Sequence, residues 1–255
     1  MLKKRIIFCL LYLEGSFCLS RNFRLQKIGD YEWLINNYGF SNIYNAIDEL
    51  IILNVSRDSK IDKDFCDLVK KISSNFFIPI TVGGKINNIE DANRSFGSGA
   101  DKILINTNLK DSELINSISS TYGSQAIIGG IDFKIKDNPV FYTSNADIQN
   151  NEIHEYIKLI NKIDIGEVYF QSIDFDGTGQ GLDINFYSKY CSKLNKPILI
   201  GGGIGKPEHI LEGLRLNFVD GVVTANLLNF VKDGLIKARQ FVNEKFENVT
   251  KRQNY

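Results

Sequence analysis

The stretch Pro197-Ile198-Leu199-Ile200-Gly201-Gly202-Gly203-Ile204-Gly205 constrains this chain more than any other. The apolar run is too short for a helix and too dry for an exposed edge strand, so it predicts a buried strand entering a glycine turn. Glycines directly after it let backbone N–H groups approach an anion, because no Cβ intervenes. A near copy stands earlier, as Pro79-Ile80-Thr81-Val82-Gly83-Gly84-Lys85-Ile86, and both Pro79 to Pro197 (197 − 79) and Gly83 to Gly201 (201 − 83) span 118 positions. Ile47-Asp48-Glu49-Leu50-Ile51-Ile52-Leu53 matches Ile165-Gly166-Glu167-Val168-Tyr169-Phe170-Gln171 at the same spacing, and Gly99-Ala100-Asp101-Lys102 matches Phe218-Val219-Asp220-Gly221 at one residue more. Ile6-Ile7 and Ile127-Ile128 open the two halves.

Strand and helix signals alternate along the whole length. Strands are predicted over 5–11, 49–55, 78–82, 102–106, 126–132, 167–173, 197–200 and 221–225. Helices are predicted over 31–45, 62–73, 89–97, 111–122, 152–163, 184–194, 207–216 and 235–246. Polar loops are expected over 14–30 and from 132 to about 150. Eight strand–helix alternations with buried, parallel-type strands specify a TIM (β/α)8 barrel rather than an open sheet. The 255 residues, 43% of them hydrophobic, suit one barrel domain over 1–255. It is built of half-barrels of about 1–123 and 124–247 with two-fold internal similarity, and the tail 248–255 is expected to fray.

Thirty basic and thirty acidic residues cancel, so no global field points to nucleic acid or an anionic membrane. Lys3-Lys4-Arg5 before an apolar run could open a signal peptide, but Glu14-Gly15-Ser16 is a poor cleavage site and the run serves equally as a first barrel strand. No apolar run approaches the roughly 20 residues of a membrane span, and a cytoplasmic location is expected. Cys9, Cys18, Cys66 and Cys191 show no Cys-x-x-Cys pairing, which predicts reduced thiols and no metal site. His154 and His209 lie in no Ser/His/Asp pattern. No cofactor is expected.

Barrel active sites lie at the C-terminal ends of the strands. Gly83, Gly84 and Lys85 follow the third strand, Asn106 and Thr107 the fourth, Gly177 the sixth, Gly202 and Gly203 the seventh, and Ala225 and Asn226 the eighth. The two sets face each other across the mouth and read as phosphate cradles, so the expected ligand is a two-ended anion. Asp132 and Asp176, near the ends of the fifth and sixth strands, are candidate general acid/base groups; helix capping is the bland reading. At the other end of the barrel Arg5, Glu49, Lys102 and Glu167 stand at strand starts. Two cations and two carboxylates there would make a salt-bridge plug.

These residues resemble the HisF family, the cyclase subunit of imidazole glycerol phosphate synthase. The resemblance runs through Lys4-Arg5-Ile6-Ile7-Phe8-Cys9-Leu10, Thr81-Val82-Gly83-Gly84, Ile105-Asn106-Thr107, Gly123-Ser124-Gln125-Ala126, Ser172-Ile173-Asp174-Phe175-Asp176-Gly177-Thr178 and Gly202-Gly203-Ile204-Gly205-Lys206-Pro207-Glu208-His209. It implies that Arg5, Glu49, Lys102 and Glu167 gate an ammonia channel fed by a docked HisH-type glutaminase. It also implies that Asp101 and Gln125 lie near the docking face and that Asp132 is one of two catalytic aspartates. The chain departs from the family at Leu11, where the other catalytic aspartate is expected, at Leu19 for a loop lysine, at Asn54 for an aspartate and at Lys85 for a glycine. Those departures resemble the AglZ/WbuZ-like acetamidino-modification paralogues. The leading expectation is therefore an ammonia-handling barrel that pairs with a glutaminase and an ATP-dependent sugar amidotransferase in surface-glycan synthesis. The alternative is a working cyclase lyase of histidine biosynthesis, and a third reading is a plain phosphosugar-binding barrel.

Overall fold

The apolar runs close into a barrel in the computed structural model, which describes residues 3–38, 43, 45–56, 63–135, 139–142, 147–148, 153–225 and 233–250. Among these, the barrel staves are β1 (Arg5–Leu13), β4 (Glu49–Asn54), β5 (Ile80–Gly83), β6 (Lys102–Ile105), β7 (Ile127–Ile135), β10 (Glu167–Ser172), β11 (Ile198–Gly201) and β12 (Gly221–Thr224). Each pairs in parallel with the next, β12 returns to β1, and the β7–β10 pairing completes the closed sheet. Helices α1 (Tyr31–Tyr38), α2 (Lys63–Asn75), α3 (Ile89–Gly97), α4 (Ser112–Tyr122), α5 (Ile153–Lys162), α6 (Ile184–Tyr190), α7 (Pro207–Arg215) and α8 (Gly234–Lys245) lie in the connections. The TIM-barrel expectation holds.

Alternation along each stave divides the apolar residues into two layers. Ile6, Phe8, Leu50, Ile52, Ile103, Ile105, Val168 and Phe170 face the helices in the larger core. Ile7, Cys9, Ile51, Leu104, Ile128, Tyr169, Leu199 and Val223 fill the bore, with Leu11, Leu53 and Ala225 packed above them. A full inner layer makes this barrel a packed core rather than an open tube.

The strand entries share a clamp. Asp48, Asp101 and Asp220 each stand one residue before an even-numbered barrel stave (the second, fourth and eighth). Each accepts, through its carboxylate, the amide of Ile6, Ile80 or Ile198 on the preceding stave, at 2.7, 2.8 and 2.9 Å. Asp48 is further held by Arg239, at 2.6 Å. The sixth stave has Gly166 at this place, where a Cβ would come within 2.6 Å of Gln125 Cα.

Several local expectations are corrected. The span 14–30 is a β-hairpin rather than a polar loop: β2 (Ser16–Arg21) pairs antiparallel with β1 and with β3 (Arg24–Gly29). Its buried Phe17 and Cys18 hold it against the barrel. Beyond Asp132, β7 continues to Ile135 and pairs with β8 (Pro139–Tyr142), which pairs with β9 (Asp147–Ile148). Phe133 and Phe141, both fully buried, lie opposite each other there, and Phe133 stacks on Phe186 at 3.8 Å between centroids. Helix α1 covers Tyr31–Tyr38 and Ile43 is helical as well, residues 45–46 form a turn, and 39–42 and 44 of the expected 31–45 stretch lie outside the described residues. Helix α6 ends at Tyr190 and continues as a 3-10 turn over Cys191–Lys193. At the end of the chain, 248–250 are pinned rather than frayed: Lys4 N donates to Asn248 O and Thr250 N to Lys4 O, both at 2.9 Å, and Val249 is fully buried. Residues 251–255 lie outside the described residues. No described helix is long and apolar enough to cross a membrane.

Candidate functional site

At the C-terminal mouth of the barrel lies a cavity of about 760 Å³. Gly84, Asn106 and Thr107 line one side, and Gly177, Gly202, Gly203 and Ala225 contribute to the other, with Asp132 and Asp176 also lining it. The structure thus brings together most of the residues expected at the mouth. Gly83 does not line the cavity, and Asn226 lies outside the described residues.

The glycine turns are required by space as well as by conformation. Gly84 has φ +90°, and a Cβ on it would sit 2.2 Å from Asn54 O; Gly203 has φ +95°, and its Cβ would sit 1.9 Å from Gly181 O. No side chain fits either place, so the backbone itself forms the wall. Lys85, next to Gly84, also takes a left-handed φ of 64°. Its departure from glycine thus costs about 1 kcal/mol of backbone strain. Two further contacts fix the second glycine loop: Tyr187 Oη donates to Gly201 O at 2.7 Å, and Gly205 N donates to His209 Nδ1 at 3.2 Å. His209, to which no role was assigned from the sequence, is a loop support. Burial, then Lys206, lower its pKa, and the neutral ring can accept this bond.

Asp132 projects from the middle of β7, since that strand continues past it. Its Oδ2 accepts from Asn106 Nδ2 at 3.1 Å, so this amide, expected to bind phosphate, orients the carboxylate. Burial, with the charge of Asp176 added, pushes the Asp132 pKa up to about 7. A carboxyl poised there can give or take a proton near neutral pH.

Asp176 is differently placed. Its Oδ2 accepts from Ser20 Oγ at 2.5 Å and from Phe23 N at 3.1 Å, its Oδ1 from Gln171 Nε2 at 3.2 Å, and its carbonyl from Asn22 N at 2.9 Å. Burial raises its pKa while the Ser20 and Phe23 bonds lower it. The carboxylate expected to help with proton transfer is the anchor of the β2–β3 hairpin in this structure.

Sequence reasoning missed the hairpin's share of the site. Ser20, Asn22, Phe23 and Leu25 line the cavity, as do Tyr169 and Gln171 from β10. The signal available was the alternation of Phe17 and Leu19 with Cys18 and Ser20. Leu11 also lines the cavity, with Cys9 and Leu53, so this wall is apolar. Asn54 Nδ2 and Thr224 Oγ1, both buried on residues that line the cavity, find no hydrogen-bond partner among the described residues.

Beneath the bore, Arg5, Glu49, Lys102 and Glu167 form a closed ring. Arg5 meets Glu49 at 2.6 Å and Glu167 at 3.1 Å through both guanidinium ends, and Lys102 meets Glu167 at 2.7 Å and Glu49 at 3.3 Å. Burial pushes the Glu167 pKa up, but Arg5 and Lys102 together outweigh it and hold the carboxyl below its ordinary range. Asp101 is exposed at this end and clamps Ile80 N, and Gln125, also exposed, donates to Tyr122 O at 3.2 Å. Among the described residues no group of three or more His, Cys, Asp or Glu side chains is placed to hold a metal ion.

This is a parallel (β/α)8 barrel with glycine-built walls at its open mouth, set apart by the ionic ring that closes its other end. Residues 36–232 match the histidine biosynthesis protein family, and the chain belongs to the HisF family within it. It is 46% identical over 244 residues to the putative imidazole glycerol phosphate synthase subunit hisF2 of Parasynechococcus marenigrum, covering 94% of this chain and 90% of that protein. It is 33% identical over 248 residues to the imidazole glycerol phosphate synthase subunits HisF of Chlorobium limicola and Chlorobium phaeobacteroides, covering 96% of this chain and 98% of each. These relatives favour the histidine-pathway alternative over the acetamidino reading that led from sequence.

Proposed function

We propose that this chain is the HisF-type barrel of an imidazole glycerol phosphate synthase, receiving ammonia from a HisH-like glutaminase. The observation that carries the reading is the placement of Asp132, near pKa 7, on the floor of a two-ended cavity above a complete ionic ring. In this reading the phosphates of the formimino carboxamide nucleotide sit against the walls built by Gly84 and Thr107 on one side and Gly177, Gly202, Gly203 and Ala225 on the other. Backbone N–H groups at such turns hold anions without a counter-charged side chain. Glutamine hydrolysis in the partner, docked over Asp101 and Gln125, delivers ammonia past the Arg5–Glu49–Lys102–Glu167 gate. Asp132, oriented by Asn106, moves protons during ring closure and cleavage to imidazole glycerol phosphate and the aminoimidazole carboxamide nucleotide.

One observation favours a second reading. Leu11 cannot transfer a proton, and loss of one general acid/base group typically costs about 10²–10⁴ in rate. A barrel that conducts or prompts ammonia release for a sugar amidotransferase making acetamidino glycans needs no second acid, and fits that residue. The test is turnover of the formimino nucleotide with free ammonium, beside a Leu11→Asp variant and with rescue of a histidine auxotroph. Turnover and rescue by the natural chain are expected. Silence from the natural chain with gain of activity in Leu11→Asp would reject the cyclase and support the second reading.

A further inference from the structure

The interior face of β10 carries three polar side chains at alternate positions: Glu167 in the ring, Tyr169 in the bore and Gln171 at the cavity floor. Tyr169 is set among aliphatic residues and the Cys9 thiol, only 6% exposed yet lining the cavity. Its hydroxyl bonds to Gln171 Oε1, and Gln171 Nε2 continues to Asp176 Oδ1 at 3.2 Å. Room for the end of this side chain comes from a glycine on one flanking stave, Gly201 of β11. In register, Tyr169 faces Gly130 of β7 and Gln171 faces Gly201 of β11. A Cβ on Gly201 would meet Tyr169 Oη at 2.6 Å and Gln171 Oε1 at 2.7 Å. A phenol in a packed apolar interior normally finds a partner, and here the absence of a Cβ at Gly201 leaves space for that partnership.

We propose that the Tyr169–Gln171 pair is a binding site for neutral ammonia inside the barrel, the step between the ionic ring and Asp132. Ammonia donates three hydrogen bonds and accepts one. The Tyr169 oxygen and the Gln171 carbonyl can accept from it, and the Tyr169 hydroxyl can turn to donate. Burial, with Cys9, Tyr187, Asp132 and Asp176 nearby, keeps that hydroxyl protonated, so the pair holds no charge to trap ammonium. The apolar residues around it keep the passing molecule neutral, since a bare ammonium ion there would be poorly solvated. This inference rests on the conduit reading above.

Two measurements test it. The first uses the intact chain with 3-fluorotyrosine at position 169, observed by fluorine NMR while ammonium chloride is added at pH 8.5, with sodium chloride at equal ionic strength as the control. A saturable shift with ammonium only, lost in Gln171→Leu, is expected; no shift, or the same shift with both salts, would overturn the site. The second uses the complex with its glutaminase and compares glutamine-driven with ammonium-driven turnover. Tyr169→Phe should lower the glutamine-driven rate about tenfold more than the ammonium-driven rate. If Arg5→Ala uncouples the two rates and Tyr169→Phe does not, the inner site is rejected and the conduit stands. If neither variant uncouples them, the conduit itself is rejected.

Discussion

Asp132 reports directly on its surroundings, because its pKa near 7 comes first from burial and then from Asp176. A carboxyl whose folded pKa lies above its unfolded value of 3.8 favours folding fully only below that value. The contribution is lost as pH rises through about 7. The upper bound on the cost at pH 8 is about 4 kcal/mol, reduced to roughly 1–2 kcal/mol because the group borders an open cavity and can draw in water. Asp132→Asn should therefore raise stability by about 1–2 kcal/mol at pH 8 and by nothing at pH 3.5, measured by urea unfolding at both pH values. Equal effects at the two pH values would mean that Asp132 is not perturbed. Activity that uses Asp132 as a base should rise with pH and level off above about 7. The residue was legible in the sequence as a carboxylate near the end of an apolar stave. Its hydrogen bond to Asn106 was not, because that residue follows the neighbouring stave β6, 26 positions away.

At the scale of elements, the β2–β3 hairpin is the part the sequence hid. Residues 14–30 are polar enough to read as a loop, and the turn lacks the glycine that usually marks a tight hairpin. Asn22 and Phe23 instead hold φ of 50° and 61°, a conformation that disfavours a bulky residue such as phenylalanine. The compensation is tertiary: Phe23 N and Ser20 Oγ bond to Asp176 Oδ2, and Asn22 Nδ2 donates to the carbonyls of Ile173 and Asp174 at 3.2 and 2.6 Å. Such a latch should control local opening more than global stability. In Ser20→Ala and Asp176→Asn, amide exchange over residues 17–29 should quicken about tenfold while the amides of β10 keep their protection. Unchanged exchange in the hairpin would show that its buried Phe17 and Cys18 alone hold it down. The barrel staves were legible for the opposite reason, since each buries both faces and reads as a short apolar run whatever its neighbours.

On the scale of the whole barrel, one end is closed by charge and the other opens into the cavity, and the chain sums to zero net charge. The four ring residues come from four staves spread over 162 positions, so no local pattern announces them. They were legible only as like placements at strand starts. Desolvating four charges is costly, and a ring of this kind gives less stability than its contact distances suggest. What it does give is mutual dependence, since each carboxylate touches both cations. Arg5→Ala leaves Glu49 and Glu167 sharing Lys102 alone and should cost about 1–3 kcal/mol. Adding Glu167→Ala should recover part of that loss, giving a coupling of about 1–2 kcal/mol in a double-mutant cycle read by denaturant unfolding. Additive losses would mean that the ring is four separate contacts. Glu167 is held below its ordinary 4.5, so its contribution is present above that pH and lost as pH falls through its lower folded pKa. The contacts of Glu167 with Arg5 and Lys102 should thus persist across the neutral range and weaken only in acid.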